Sequence, residues 1–470
     1  MQGLGIIVGR IFFSDSHKHL FFCVSWGVSF SDGSWSDNFD CLFMKQKLIL
    51  AFLIFLSPVF VKGQETVVYD PSVKTVVFHD NSASNRALPV FPLLVLGESK
   101  KIRISFDDLS AEYHRFTYTL ELMDENFNAE ESVFEHDYVE SVSDEGLVEN
   151  FTPSLNTSIP YVHYSLAFPN EYMRPKVSGN YKLTFWKENE NGDKVAAFVT
   201  YFFVVEPLAS LAVTVNGDTD IDRNKKHQQL TVSARCPSLS IRDAKEFTLV
   251  MLQNKQWHNA VRNVSPSSVS FLPTPTLKWE HCRDLIFKAG NEYRKFEIPS
   301  RRYPGMHVES VNNLSSYLHA TLFPDEPRMT YLYDEDQDGI YVPLAEDNMN
   351  PETEAEYMWV HFDYSFPEKW KEELPHRIYL GGQWTNGAAS APGFLAPLAD
   401  NPRRYTGAFL LKQGYYSYYY WGTDSDGRSV VPSIEGDFYQ TQNEYTVLLY
   451  HRSPSDRHTR LIGATTVGKP

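Results

Sequence analysis

Asn180-Tyr-Lys-Leu-Thr-Phe-Trp186 is followed, past a loop carrying Asn191-Gly192-Asp193, by Ala197-Phe-Val-Thr-Tyr-Phe-Phe-Val-Val205. Aromatic and β-branched side chains dominate both arms, as they do on pleated, half-buried surfaces. An Asn-Gly pair between two such arms is a tight-turn signal, because both residues accept positive φ. The stretch predicts a β-hairpin.

The same pattern extends in both directions. Lys101-Ile-Arg-Ile-Ser-Phe106 and Phe116-Thr-Tyr-Thr-Leu-Glu-Leu122 alternate polar and apolar, the period of a strand with one buried face. Thr75-Val-Val-Phe-His79, Val90-Phe-Pro-Leu-Leu-Val-Leu96 and His163-Tyr-Ser-Leu-Ala-Phe168 are further short β-rich runs. Turn residues recur about every ten positions, which is the rhythm of a β-sandwich. Later runs include Leu211-Ala-Val-Thr-Val215, Gln229-Leu-Thr-Val-Ser-Ala234, Phe247-Thr-Leu-Val-Met-Leu252 and Glu292-Tyr-Arg-Lys-Phe-Glu-Ile298. Tyr357-Met-Trp-Val-His-Phe-Asp-Tyr364, Arg377-Ile-Tyr-Leu-Gly-Gly382, Tyr405-Thr-Gly-Ala-Phe-Leu-Leu411 and Tyr445-Thr-Val-Leu-Leu-Tyr450 follow. No helix-length amphipathic pattern interrupts them. The expected fold is all-β, with several immunoglobulin-like β-sandwich domains in series. The expected boundaries are 64–207, 208–304 and 305–470, in keeping with roughly 100–200 residues per domain.

Before these lies a different kind of segment. Met44-Lys-Gln-Lys47 is a short basic head, and Leu48 to Val61 is an apolar run broken only by Ser57 and Pro58. Val61 and Gly63 are small residues ahead of a cut before Gln64, so 44–63 reads as a secretory signal peptide. Residues 1–43 read as an over-extended reading frame. The apolar run is too short for a comfortable membrane span. The mature chain is expected in the periplasm, without direct membrane insertion.

The formal charge is -16, with 14% aromatic residues. An acidic surface repels phosphate backbones, so no nucleic-acid partner is expected. The aromatic content exceeds what a disordered chain carries. Of four cysteines, Cys23 and Cys41 precede Gln64, leaving Cys236 and Cys282 as the one candidate pair. No CxxC, HExxH, GxSxG or P-loop occurs. No catalytic residue and no cofactor is expected. His136 and His163 stand singly, and Asp107-Asp108 on a strand point to opposite faces, so a turn or cap role is expected.

Three clusters remain as candidates. Asp334-Glu-Asp336-Gln-Asp338-Gly339 resembles the start of a calcium loop, but Ala345 stands where a bidentate Glu is needed. An Asp-Gly hairpin tip between strands accounts for the same residues. The Tyr415-Tyr-Ser-Tyr-Tyr-Tyr-Trp421 run, with Trp384, could stack on sugar rings through Trp384, Tyr416, Tyr418 and Trp421. The same rings serve equally as core. From Asp124 to Glu149 there are ten acidic residues and no Lys or Arg. Glu130, Glu131, Glu135, Asp137 and Asp144, with the tip at Asp334 and Asp338, are candidate contacts for a basic partner, or solvated loops.

Several phrases in series resemble the type 9 secretion system plug protein family. They are Ser105-Phe-Asp-Asp-Leu109, Ser154-Leu-Asn-Thr157, Tyr161-Val-His-Tyr164, Phe168-Pro-Asn170, Ser178-Gly-Asn-Tyr181 and Ala289-Gly-Asn-Glu292 with Arg294 and Phe296. Leu411-Lys-Gln-Gly-Tyr415, Glu435-Gly-Asp-Phe-Tyr439, Gln442-Asn-Glu-Tyr445 and Leu461-Ile-Gly463 complete them. Glu121-Leu-Met-Asp124 and Gln440-Thr-Gln-Asn443 depart from the family's usual wording. The resemblance implies a non-catalytic periplasmic protein, monomeric on its own. It would close the periplasmic mouth of a large outer-membrane translocon barrel. The alternative is a cell-envelope glycan-binding array; a glycosidase would need two carboxylates facing one cleft.

Overall fold

The computed structural model describes residues 65–82, 88–189, 191–239, 241–314, 317–385, 393–427 and 433–468. The expected extension 1–43, the signal peptide 44–63, its cut before Gln64, and Cys23 and Cys41 lie outside them. The described chain is almost entirely β, with one four-residue helix, Glu135–Tyr138, among the described residues.

The hairpin forms as its sequence predicts. Gly179–Glu188 pairs antiparallel with Lys194–Val205, with a bulge between Phe185 and Trp186. Asn189 Oδ1 accepts from the Asn191 and Asp193 amides at 2.9 Å each, and Gly192 takes φ +81° to close the turn. Thr117–Met123 and Gly146–Leu147 extend this sheet on one side, and Val67–Val68 and Leu93–Val95 on the other. A second sheet, ordered Val73–Asp80, Ile102–Asp108, Val162–Phe168, Asn150–Pro153, packs against it. Phe106 is the wedge between them. It is fully buried, with ring centroids 4.8 Å from Phe198, 5.6 Å from Phe185 and 5.2 Å from Tyr164. Apolar burial and edge-to-face ring packing hold the two sheets together.

The next layer pair shows what a linear reading misses. One sheet is ordered Ser210–Asn216, His227–Arg235, Thr276–Trp279, Ser268–Ser270, with Ile286–Lys288 also on His227–Arg235. Its partner sheet is Gln256–Arg262, Phe247–Gln253, Glu444–His451, Arg460–Gly468. The last two strands, expected in the 305–470 segment, therefore complete the middle unit. Leu249, Val447, Leu449 and Ile462 share one core with Leu230 and Trp279. Arg294–Glu297, expected in the 208–304 segment, belongs instead to the third sheet, where it pairs with Gly414–Thr423. A strand needs a partner for its backbone N–H and C=O groups, and that partner need not be near in sequence.

The third sheet has nine strands and curls towards a barrel around one core. Phe296 on its first strand meets Phe362, several strands away, at 5.6 Å between centroids. Tyr416, Tyr418 and Tyr420 alternate inward along Gly414–Thr423, while Tyr415, Tyr419 and Trp421 take the other face. Cys236 and Cys282 are free thiols, and burial pushes the Cys236 thiol up to about 11.

A chain ending at residue 443 should therefore lose the middle unit rather than a peripheral hairpin. It would expose Leu249 and Met251, bind a hydrophobic dye and be cleaved first within 208–288. Protection of 208–288 equal to that of the full chain would contradict this pairing.

Candidate functional site: buried polar joints and the surface they leave

Ile102–Asp108 sends Phe106 into the first sandwich, so the next residue must face the other way. Asp107 is 1% exposed and is held on that far side by groups from elsewhere in the chain. Lys412 Nζ lies 2.6 Å and the Tyr357 hydroxyl 2.7 Å from Asp107 Oδ2, and His163 Nδ1 lies 2.7 Å from Oδ1. Lys412 also donates to the Glu352 carbonyl at 2.8 Å and sits 4.3 Å from the Tyr161 ring centroid. Burial pushes the Asp107 carboxyl up, but the Lys412 ammonium and the His163 contact outweigh it and hold it below the ordinary range. Burial lowers the Lys412 ammonium, and Asp107 opposes that shift. Asp108, facing the opposite way, accepts from the Ser110 amide at 3.0 Å and lies 2.9 Å from His114 Nδ1. The turn role expected of this pair holds for Asp108. Asp107 instead joins the first sandwich to the nine-stranded sheet.

The join is reinforced beside it. Glu356, 1% exposed, accepts from the Ser158 and Ile159 amides at 2.7 and 3.2 Å. The Leu155 amide donates to the Thr353 carbonyl at 2.9 Å, and Arg301 donates to the Asn156 carbonyl at 2.8 Å.

Inside the nine-stranded sheet a second network forms. Arg294 donates from Nε to Glu435 Oε1 at 2.9 Å and from Nη1 to Asp325 Oδ1 at 2.6 Å. Arg328 adds a bond to Glu435 at 2.8 Å. Tyr418 and Tyr420 each donate to Asp325 Oδ2 at 2.9 Å. Burial raises the Asp325 and Glu435 carboxyls, and their arginine and histidine neighbours more than reverse it. In the middle unit, Asn443 Nδ2 donates to the Ala289 carbonyl at 2.8 Å, and its oxygen accepts from Asn254 at 2.8 Å.

These networks decide where the expected site residues fall. Tyr416 and Tyr418 are 3% and 0% exposed and cannot stack on a sugar. Tyr416 donates to the Lys412 carbonyl at 2.6 Å. Trp384 is half-buried, donates to the Ser417 carbonyl at 2.9 Å and packs edge-on against Tyr416. Trp421 is half-buried, lies on the opposite face from Tyr416 and Tyr418, and stacks on Tyr379 at 4.7 Å. The four rings expected to form a sugar platform do not share a face.

The acidic stretch meets a basic surface, but the chain's own. Glu130 is 8% exposed and accepts from Arg452 Nη1 and the Thr459 amide, each at 2.9 Å. Asp137 accepts from Arg457 at 2.9 Å, and Arg457 also donates to the Ser132 carbonyl at 2.8 Å. Glu130 is thus removed as a surface contact, and Asp137 is engaged internally. Glu131, Glu135 and Asp144 remain exposed.

At the other tip, Asp338 at φ +50° and Gly339 at φ +83° form the expected Asp-Gly turn, and Tyr341–Pro343 follows as a strand. The segment before it, Met329 to Tyr333, is not a strand. Asp334 pairs with Lys295 at 2.7 Å, while Asp336 turns inward to accept from the amides of Tyr293 and, at 2.8 Å, Asp338. Asp334 and Asp336 thus take separate partners, and no group of three or more His, Cys, Asp or Glu among the described residues could hold a metal ion. With Glu292 and Glu444 they line a cavity of about 180 Å³. Burial, then neighbouring carboxylates, push Asp336 up to about 6 and Asp338 up to about 8. Asp338 Oδ1 is buried and finds no partner among the described residues.

No helix among the described residues is long and apolar enough to cross a membrane. Residues 73–206 match the family described as the type 9 secretion system plug protein 1st domain. A crystal structure at 2.30 Å resolution of a hypothetical protein from Parabacteroides merdae ATCC 43184 is similar at 31% identity. The similarity covers 87% of this chain and 100% of that one, with a TM-score of 0.78. A marsupial T cell receptor aligns at 11% identity over 84% of this chain and 99% of that one. Its TM-score of 0.16 carries no argument about fold. Comparison with curated proteins finds no match. The molecule is an all-β protein of several sheets, one of them nearly a barrel, tied together by buried polar joints. The chain belongs to the type 9 secretion system plug protein family.

Two predictions follow from the charges. Lys412→Met leaves Asp107 buried without its cation, and the cost should be about 3–5 kcal/mol in denaturant unfolding. Asp338 and Asp336 have folded pKa values above their unfolded ones. Their contribution to stability is present below about pH 4 and is lost as pH rises through about 6 and about 8. Asp338→Asn should therefore gain stability over the parent as pH rises from 5 to 9, by about 2 °C in Tm at pH 9 beyond any difference at pH 5. A pH-independent difference would refute the assignment.

Proposed function

We propose that this protein is exported to the periplasm and closes the mouth of a large outer-membrane translocation barrel by steric occlusion. The match of residues 73–206 to the plug's first domain carries the reading. Occlusion asks for a body that resists deformation and a large complementary surface, and it asks for no chemistry. The buried joints at Asp107–Lys412 and Glu356 suit the first requirement, because they couple the family-matching domain to the nine-stranded sheet. We read the two-sheet units as immunoglobulin-like sandwiches and residues 44–63 as the export signal. The glycan-binding alternative loses its platform with Tyr416 and Tyr418 in the core.

Exposed loops are the natural contact surface, since loop changes leave the core intact. Glu131, Glu135 and Asp144 are free of the internal ion pairs that engage Glu130 and Asp137. The tip at Asp334 is the second surface, while Asp338, expected beside it, has a buried Oδ1 and lines the cavity. The test is capture of the barrel from native envelopes by the tagged protein. A Glu131→Lys, Glu135→Lys, Asp144→Lys variant should retain its Tm and capture at least about tenfold less barrel. Undiminished capture would take this loop out of the interface. Failure of the unaltered protein to capture any barrel, from cells shown to make one, would overturn the plug reading itself.

A further inference from the structure

On the outer face of the nine-stranded sheet, Tyr317–Leu322 runs parallel to Tyr357–Ser365. Thr321 is in register with His361, and His319 with Trp359. Ala320 and Val360 are fully buried towards the core, so the alternate positions 319 and 361 face outward. His319 Nδ1 lies 2.8 Å from His361 Nε2, and the rings stack with centroids 5.1 Å apart at 20°.

We propose that His319 and His361 form a two-histidine site for a divalent transition metal of tetragonal preference, copper(II) or nickel(II). The geometry selects the class. With metal–nitrogen bonds of about 2.05 Å, two nitrogens at a right angle lie about 2.9 Å apart, and at the tetrahedral angle about 3.3 Å. The observed 2.8 Å lies closer to the right-angle spacing than to the tetrahedral one. In the metal-free pair one facing nitrogen carries the proton and the other accepts it. On binding, that proton moves to the same ring's outer nitrogen, both facing nitrogens present lone pairs, and no net proton is lost.

The surroundings agree. Opposite His361 on Arg404–Lys412 stands exposed Ala408, and opposite His319 on Val308–Leu314 stands Asn312. The small side chain at Ala408 leaves room for the waters that complete coordination. Asp363, the carboxylate two positions along, is occupied by Arg404 at 2.8 Å and is not a ligand.

Isothermal titration of the untagged protein with nickel chloride, copper chloride and zinc chloride tests the site. One equivalent of nickel or copper should bind, with zinc weaker. His319→Ala and His361→Asn should each weaken nickel at least tenfold while keeping the apoprotein Tm. His136→Ala, at an exposed histidine remote in sequence, should leave binding unchanged. Absence of saturable nickel and copper binding overturns the proposal. So does binding that survives either single substitution at full strength, or zinc binding tighter than nickel.

Discussion

The Asp107–Lys412 pair is the constraint around which the rest is arranged. Taking a carboxylate and an ammonium out of water is costly, and mutual attraction offsets it only when the remaining hydrogen-bonding capacity is filled. Here it is filled from several directions at once: His163 from the first sandwich, Tyr357 from the nine-stranded sheet, and the Glu352 carbonyl from the loop before it. Each of those partners must be placed for the pair to be tolerated. The first sandwich and the nine-stranded sheet are therefore fixed in one relation. Domains in one chain usually meet through modest polar interfaces and move relative to one another. A buried, fully satisfied ion pair at the meeting point works against that motion.

The same logic repeats at the other joins. Arg294 reaches Asp325 and Glu435 together, and Asn443 ties Asn254 to Ala289. The phrases of this sequence that resemble the family contain these residues: Asp107, His163, Arg294, Lys412, Glu435 and Asn443. A resemblance scattered along the chain thus gathers in space as joints between segments. Apolar core residues exchange for one another at modest cost, whereas a buried charge accepts few replacements.

Local structure was legible where local rules decide it. The arms at Asn180–Trp186 and Ala197–Val205 have period and composition for strands, and Asn191-Gly192 sets their turn, so the hairpin followed directly. The opposed faces of Asp107 and Asp108 were legible for the same reason. Pairing across the chain was not. Phe247 pairs with His451, and nothing in either run names the other. Period-2 alternation tells which side of a strand is buried but not which strand lies beside it. The Tyr415–Trp421 run shows a second limit. Alternation divided it between two faces, yet Tyr416 and Tyr418 face a core that a solvent-facing platform cannot have. Whether a ring's hydroxyl meets water or a buried Asp325 depends on a residue ninety or so positions away.

Net charge is the last point at which sequence and structure differ in meaning. A charge of -16 reads as an acidic exterior. Part of that acidity is turned inward: Asp107, Asp325, Glu356 and Glu435 are nearly inaccessible, and Glu130 and Asp137 are neutralised by Arg452 and Arg457. Within the acidic stretch of the first sandwich, Glu131, Glu135, Glu140, Asp144 and Glu149 face solvent. Their neighbours are pinned from behind by the basic loop that precedes the final strand. An edge held in that way can meet a partner without reorganising, and binding then loses less to ordering than a free loop would. The internal pairs that remove Glu130 and Asp137 from the surface are, on this argument, what makes the remaining carboxylates a defined surface rather than a diffuse one.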